Sequence, residues 1–290
     1  MPIWKAALFG LIQGITSILP VSSSGHVALF GRILGENGAN SLSFMSILHI
    51  GTLLALIVTF RTDLIRVIVS FLRVMRDLIL DLPVLLNHMQ DPKKGSYRAY
   101  LSGNYRRFAV LLLTALLPTL IIGLIVRRFA VAGASNLLLC AMGFFVTALL
   151  LLVSSFSTSV KRSPKTTRFF DALLIGAFQG FSVFPGMSRM GLTLSATGLC
   201  SMAGSYRLRW AALLGIPTIL GSLLFVAPYT AAKSTDPVGT IAMLVGVICS
   251  FLGSMLVLTL WKRFLYRSTF RGFAVYTLIA GVVCILLNFH

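Results

Sequence analysis

Acidic residues are scarce in this sequence. Among its 290 residues only 7 are Asp or Glu, and charged residues of both signs together make up 11%. Hydrophobic residues make up 57%, and the mean hydropathy is +0.93. A chain with so few charges cannot cover itself with the polar surface that a soluble domain needs. The composition therefore predicts a polytopic membrane protein.

Cysteines are also few and form no recognisable motif. The four of them stand singly in apolar segments, without a Cys-x-x-Cys spacing or a nearby pair of histidines. This pattern excludes the usual zinc sites and a disulfide framework. We interpret Cys140, Cys200, Cys249 and Cys284 as small packing residues.

Long apolar runs dominate the chain instead. Runs long enough to cross a hydrocarbon core of ~30 Å predict full transmembrane helices at 44–60, 107–126, 135–155, 208–227, 239–261 and 271–288. Two further apolar stretches, 3–34 and 169–200, are interrupted near the middle by Pro, Gly and Ser, so neither half can span alone. The expected fold is therefore all-α, with six full transmembrane helices and two re-entrant helical hairpins.

The two halves of the sequence resemble one another. A shift of 166 residues aligns them without gaps across each hairpin and the span that follows, and it places Gln13 opposite Gln179. We interpret 1–155 and 169–290 as repeats, each with one hairpin followed by three spans. Because three is an odd number, the second repeat begins on the opposite side of the membrane, as in the inverted repeats of many transporters.

The basic residues predict the orientation. Of the 25 Lys and Arg residues, roughly three quarters lie in or at the edges of four connecting segments, namely 61–106, 156–168, 201–209 and 262–271. By the positive-inside rule these segments face the cytoplasm and both termini face outward. The same distribution, between spans and not on a separate domain, argues against nucleic-acid binding despite the net charge of +18. Segment 61–106 contains an amphipathic run, DLIRVIVSFLRVMRDLILDL, that predicts a structural helix on the cytoplasmic surface.

Polar residues cluster at the two hairpin interruptions. Irregular backbone at membrane depth is tolerated only where it is buried in protein or lines a cavity, and inverted symmetry would bring the two interruptions together. Hydroxyls, backbone N–H groups at helix ends and an arginine are suited to binding phosphate. The candidate residues are Gln13, Ser17, Ser22, Ser23, Ser24, Gly25 and His26 in the first hairpin and Gln179, Ser188, Arg189 and Thr193 in the second.

Arg189 is expected to have an unusual partner. All seven acidic residues lie in loops or at segment edges, and an uncompensated arginine at membrane depth costs about 2.5 kcal/mol or more. Backbone carbonyls, water and a bound anion all remain possible partners. Other polar residues have two interpretations: Ser17, Ser182 and Thr193 could simply mediate helix packing, and His49 could either bond a neighbouring helix or line the cavity.

Two motifs resemble a known family. The stretches QGITSILPVSSSGH and QGFSVFPGMSRMG are similar to the two signature motifs of the undecaprenyl-diphosphatases, the bacitracin-resistance proteins. LHIGTLLALIVTF, LLGIPTILGSLL and FAVYTLIAGVV resemble its flanking helices, so the similarity covers most of the chain outside 61–106. The resemblance implies an inner-membrane protein of bacteria that removes the terminal phosphate of undecaprenyl diphosphate, on the outer face, and so recycles the lipid carrier of peptidoglycan synthesis.

The resemblance also implies residue roles. Ser23 corresponds to the candidate nucleophile, His26 to its acid/base partner and Arg189 to the clamp on the pyrophosphate. Further hydrogen bonds to the substrate are implied for Ser22, Ser188 and Thr193.

Four positions depart from the family pattern. Ser17 replaces the glutamate that the family associates with catalysis and divalent metal, and Met45 stands where an acidic residue is common. Met190 replaces a serine and Thr277 an arginine. The resemblance implies Mg²⁺ or Ca²⁺, yet without a carboxylate the site lacks the ligand these cations prefer. The sequence thus leaves two functions open, a phosphatase and a non-hydrolytic polyprenyl-phosphate binder or transporter.

Overall fold

A computed structural model describes residues 1–36, 38–81, 101, 103–130, 136–157, 162–226, 239–264 and 270–289, with the backbone alone at 38–43 and 261–264. These residues fold into α-helices, as the apolar runs predict, and no strand is present within them. The helices are α1 (Ile3–Ile18), α2 (Ser23–Ile33), α3 (Gly38–Leu80), α4 (Asn104–Val126), α5 (Leu137–Ser155), α6 (Phe169–Gly180), α7 (Arg189–Leu199), α8 (Gly204–Gly221), α9 (Thr240–Phe264) and α10 (Arg271–Phe289).

Within the described residues six helices are long and apolar enough to cross a membrane, which confirms the predicted spans. They are α3, α4, α5, α8 with the π-helical turn Ser222–Val226, α9 and α10. Except at α3, their ends differ from the predicted bounds by a few residues, because polar residues such as Asn104 and Arg271 can begin a helix outside the apolar core. The chain is thus a multi-pass membrane protein.

Helix α3 differs from the prediction. It continues for 43 residues through the predicted end of the span, with a kink at Phe60 (φ −108°, ψ 19°). No proline, glycine or asparagine, the residues that usually end a helix, lies between Phe60 and Leu80, so nothing in the sequence stops the helix. At 1.5 Å per residue its length is ~65 Å, about twice a hydrocarbon core. The part after the kink is the first portion of the predicted insert 61–106, whose residues 82–100 lie outside the described residues.

The two pairs of short helices, α1 with α2 and α6 with α7, each form a hairpin. Lys5, near the start of α1, donates to the carbonyl oxygen of Leu34 at 2.9 Å and pairs with Glu36 at 2.7 Å, just beyond the end of α2. Arg162 joins the other pair, because it bonds the carbonyl oxygen of Ser201 at 3.0 Å after α7 and Asp171 at 3.0 Å in α6. With 16 residues, α1 is ~24 Å long. The re-entrant placement of these hairpins in the bilayer stays a prediction.

Each hairpin packs against a span from the other half of the chain. Helix α1 lies along α9, and α6 lies along α4. Small residues allow this approach, since a Cβ at Gly14 would overlap the Ser250 carbonyl oxygen and a Cβ at Gly176 would overlap that of Ala115. Helices α5 and α10, one span from each half, also pack against each other. The first helix of each hairpin is therefore fixed by a close backbone contact, which positions the loop that follows it.

Candidate functional site

The loops of the two hairpins meet directly. The Nη2 of Arg189 donates to the Oγ of Ser17 at 2.9 Å, and the backbone N–H of Gly186 donates to the Oγ of Ser24 at 3.2 Å. One bond joins the start of α7 to the end of α1, and the other joins the second loop to the start of α2. The expectation that the polar interruptions come together is confirmed.

Both second helices begin with the same serine cap. The Oγ of Ser22 accepts from the N–H of Gly25 at 3.3 Å, and the Oγ of Ser188 accepts from the N–H of Gly191 at 3.0 Å. A helix start carries four N–H groups without partners inside the helix and a partial positive charge. Two such starts, from α2 and α7, therefore point donors and positive potential at the place where the loops meet.

A cavity of about 80 Å³ lies at this junction. This volume is several times the ~10–15 Å³ that one water molecule needs. Helix α2 contributes Ser23 and Ser24, α7 contributes Arg189, α3 contributes His49, and further hydroxyls come from Ser182 and Thr218. The lining is therefore rich in donors and carries one fixed positive charge.

The charge of Arg189 is not neutralised within the described part of the chain. Its one hydrogen-bond partner there is the neutral Ser17 hydroxyl, and no carboxylate lines the cavity. The sequence left carbonyls, water and an anion as candidate partners, and the structure adds this serine, which is buried. A guanidinium in this position can bind a phosphate oxygen through its remaining N–H groups.

His49 has both of the roles that the sequence left open. Its Nδ1 lies 2.7 Å from the Nε2 of Gln13, on a neighbouring helix, and its ring lines the cavity. Because an amide nitrogen can only donate, Nδ1 accepts, and the proton of the neutral ring is on Nε2. The Oε1 of Gln13 is buried without a hydrogen-bond partner. His49 is thereby held in one tautomer beside Arg189.

His26 is held beside the cavity, outside the residues that line it. Its Nδ1 lies 2.6 Å from the carbonyl oxygen of Ser22, which can only accept, so Nδ1 carries the proton. The Nε2 then accepts from the hydroxyl of Tyr276 at 2.8 Å. The ring also packs edge-on against Phe144, with centroids 5.3 Å apart. Sequence reasoning did not single out Tyr276, although it lies in the family-like stretch FAVYTLIAGVV.

The remaining predicted residues support the two hairpins. Gln179 accepts from Thr193 and donates to the Oγ1 of Thr218 at 3.2 Å, so it links α6, α7 and α8. Gly25 allows the Phe144 ring to approach, because a Cβ there would overlap that ring.

The departures from the family pattern have different surroundings. Met45 lines the cavity, so an acidic residue there would face it. Met190 is buried in the core. The Oγ1 of Thr277 bonds the carbonyl oxygen of Phe273 within α10 at 2.8 Å.

The donor set does not suit Mg²⁺ or Ca²⁺. These cations prefer carboxylate oxygens, whereas the lining offers hydroxyls, one imidazole and a guanidinium. No group of three or more His, Cys, Asp or Glu side chains comes together in the described ranges. A reaction in this cavity would therefore rely on the chain's own side chains.

Comparisons with known proteins identify relatives along almost the whole chain. The family described as "Bacitracin resistance protein BacA" matches residues 6–283. Undecaprenyl-diphosphatases of Methanosphaera stadtmanae and Alkaliphilus metalliredigens are 32% and 29% identical, each over 99% of both chains. That of Korarchaeum cryptofilum is 31% identical over 99% of this chain and 100% of its own. The chain belongs to the family of the bacitracin resistance protein BacA.

Proposed function

We propose that this protein is a membrane phosphatase that removes the terminal phosphate of a polyprenyl diphosphate, the reaction that its relatives' names imply and that recycles the cell-wall lipid carrier. The observation that carries the proposal is the cavity between the two hairpin loops. It combines one unneutralised guanidinium, two helix starts and a serine hydroxyl, which are the groups that hydrolysis of a phosphoanhydride needs.

The terminal phosphate of the substrate would occupy this cavity. Arg189 binds its oxygens, and N–H groups at the starts of α2 and α7 share the negative charge. Ser24 and His49 add donors from the lining. These groups are fixed before substrate arrives, so they need little reorganisation as charge develops in the transition state.

Ser23 is the proposed nucleophile. Its Oγ attacks the terminal phosphorus, its proton passes to the Nε2 of His26 by way of the Tyr276 hydroxyl that donates to this nitrogen, and the bond from phosphorus to the bridging oxygen breaks to release polyprenyl phosphate. His26 follows Ser23 by three residues, on the same face of α2, and its Nε2 is the unprotonated nitrogen. Water then attacks the phosphoserine, which releases inorganic phosphate and restores the hydroxyl.

A non-hydrolytic lipid-phosphate binder or transporter is the second candidate. The specific observation in its favour is Ser17, which puts a neutral hydroxyl against Arg189 where the family motif has a carboxylate. A binder needs the arginine and the helix starts but has no use for a serine nucleophile or for a histidine whose Nε2 is held unprotonated.

The experiment is phosphate release from farnesyl diphosphate by the purified protein, with Arg189→Ala as the test variant. Loss of the charge that faces the transferred phosphate should lower the rate by ~100-fold or more. Arg73→Ala is the matched control, because Arg73 is an exposed arginine on α3 outside this cavity, and it should retain full activity.

Two results would overturn the hydrolase proposal. One is equal activity of Arg189→Ala and the control. The other is Arg189-dependent binding of farnesyl phosphate with no phosphate release from the diphosphate, which would establish the binder instead.

A further inference from the structure

A mostly apolar groove lies beside the cavity, between α4 and the C-terminal end of α8. Its volume is about 330 Å³. One wall consists of α4 side chains such as Leu116 and Leu120, and the other runs from Pro217 to Phe225. Leu120 and Leu224 are 48% and 68% exposed on the outside of the helix bundle. In a membrane protein this exposure faces lipid, so the groove is open to the bilayer.

The groove adjoins the polar cavity. Val183, Thr218 and Ser222 line both spaces. On one side of these three residues lie Arg189 and the serines, and on the other the lining is almost entirely aliphatic and aromatic. A molecule with a charged head and an apolar tail could occupy both at once.

A difference between the two halves accounts for the gap that forms this groove. On α3, Gly51 allows α9 to pack so closely that a Cβ would overlap the Val247 carbonyl oxygen. The residue 166 positions later, on α8, is Pro217, and the π-helical turn Ser222–Val226 follows it. A proline and a π turn both disturb the helix backbone. Close packing is therefore replaced by a gap between α8 and α4.

We propose that this groove binds the part of the polyprenyl chain nearest the diphosphate, and that the chain enters it sideways from the bilayer. The assignment rests on the proposed function for the head group, and it adds where the tail lies. We assign the groove to a prenyl chain whose phosphate lies in the cavity, because three residues line both spaces. The phosphate of an ordinary phospholipid such as phosphatidylcholine is a diester, so it offers Arg189 and the helix starts no terminal phosphate to hold.

The test fills the groove at Gly221. This residue lines the groove, and a Cβ added there meets no atom within 4 Å, so Gly221→Phe should place a ring in the groove without disturbing the fold. The control is Gly272→Phe, which adds the same side chain at another glycine with open surroundings, on α10. For farnesyl diphosphate, Gly221→Phe should raise KM by ~10-fold or more, because one methylene in an apolar pocket already discriminates by about that factor. Isopentenyl diphosphate, with one isoprene unit, should be affected much less.

Labelling by a benzophenone-bearing farnesyl phosphate gives a second readout that does not depend on hydrolysis. In the wild type and in Gly272→Phe the label should map to 116–124 and 217–225, and Gly221→Phe should lose it. If the wild type hydrolyses its substrate but the label maps elsewhere, the groove assignment is wrong and the proposed function stands. If the wild type takes the label in the groove but releases no phosphate, the groove assignment stands and the proposed function is wrong. Equal labelling by a benzophenone-bearing phosphatidylcholine would show a general lipid groove and would also overturn the assignment.

Discussion

Ser17 has the largest consequence of any single residue in this site. Within the described residues, its hydroxyl is the one hydrogen-bond partner of the Arg189 guanidinium. A carboxylate at this position would form a buried ion pair with the arginine and would compete with phosphate for it. The same carboxylate would also give the cavity a hard ligand for a divalent cation. The serine therefore leaves the positive charge of Arg189 available to the phosphate of the proposed substrate.

We predict that Ser17→Glu makes activity depend on a divalent cation. Without added cation the new carboxylate should pair with Arg189 and lower phosphate release by ~10-fold or more, since charge-assisted bonds of this kind are strong. With Mg²⁺ or Ca²⁺ the rate should recover or exceed that of the wild type. Phosphate release measured with and without EDTA checks this.

Ser17→Gln is the control for Ser17→Glu, because it has nearly the same size and no charge. It should show no response to the cation. A response shared by both variants, or absent from Ser17→Glu, would contradict a ligand role for a carboxylate at this position.

Tyr276 is predicted to act through His26. The hydroxyl is within 2.8 Å of the His26 Nε2, and the two rings are parallel with centroids 5.7 Å apart. Tyr276→Phe keeps the ring and removes one hydrogen bond, so kcat should fall by ~3–10-fold with little change in KM. In a His26→Gln background the same change should have no further effect, because residues that act through one another are not additive. An equal loss in both backgrounds would contradict this coupling.

The sequence could identify some of these residues and not others. Ser23 and Arg189 stand out because they are polar groups at interruptions of apolar runs. The positions of His49 in the cavity and of Tyr276 beside His26 depend on how α3 and α10 pack against the hairpins. That packing joins residues 36 and 250 positions apart, which no local pattern encodes.

At the scale of helices, prediction succeeded where length and hydropathy alone decide. The six spans and the two interrupted hairpins follow from apolar runs and from Pro, Gly and Ser within them. At α3 the sequence predicted a span that ends at residue 60 and a separate surface helix within 61–106, whereas the structure has one helix with a kink at Phe60. A helix usually ends at a proline, glycine or asparagine, and none lies between Phe60 and Leu80, so the two predicted helices are joined.

The part of α3 after the kink has a buried face and an exposed apolar face. Side chains including Ser70 and Asp77 are buried, while Ile65, Ile68 and Leu72 recur at helical spacing on an exposed apolar face. The buried Asp77 forms a 2.8 Å ion pair with Arg106 at the start of α4. The buried face thus packs against the rest of the protein and the apolar face is available to lipid, which agrees with the expected location at a membrane surface.

At the scale of the whole molecule, we propose that the two halves are inverted repeats. The starts of α1, α2 and α3 precede those of α6, α7 and α8 by 166 residues each, the same shift that aligns the sequence. The packing is reciprocal as well, since α1 lies on α9 and α6 lies on α4. With re-entrant hairpins and six crossings, such an arrangement requires both termini to lie on one side of the membrane, and the arginine distribution favours the outer side.

The orientation can be tested with single cysteines in a Cys249→Ser background, because the other three native cysteines are buried. We predict that Trp4→Cys and Phe289→Cys, which are 59% and 77% exposed, react with a membrane-impermeant maleimide in intact cells. Lys165→Cys, in a basic segment between the halves, should react only after permeabilisation. Labelling of Lys165→Cys alone in intact cells would reverse the orientation and leave the repeats possible. Labelling of one terminus and not the other would mean an odd number of crossings, so that one hairpin would have to span the bilayer and the inverted arrangement would fail.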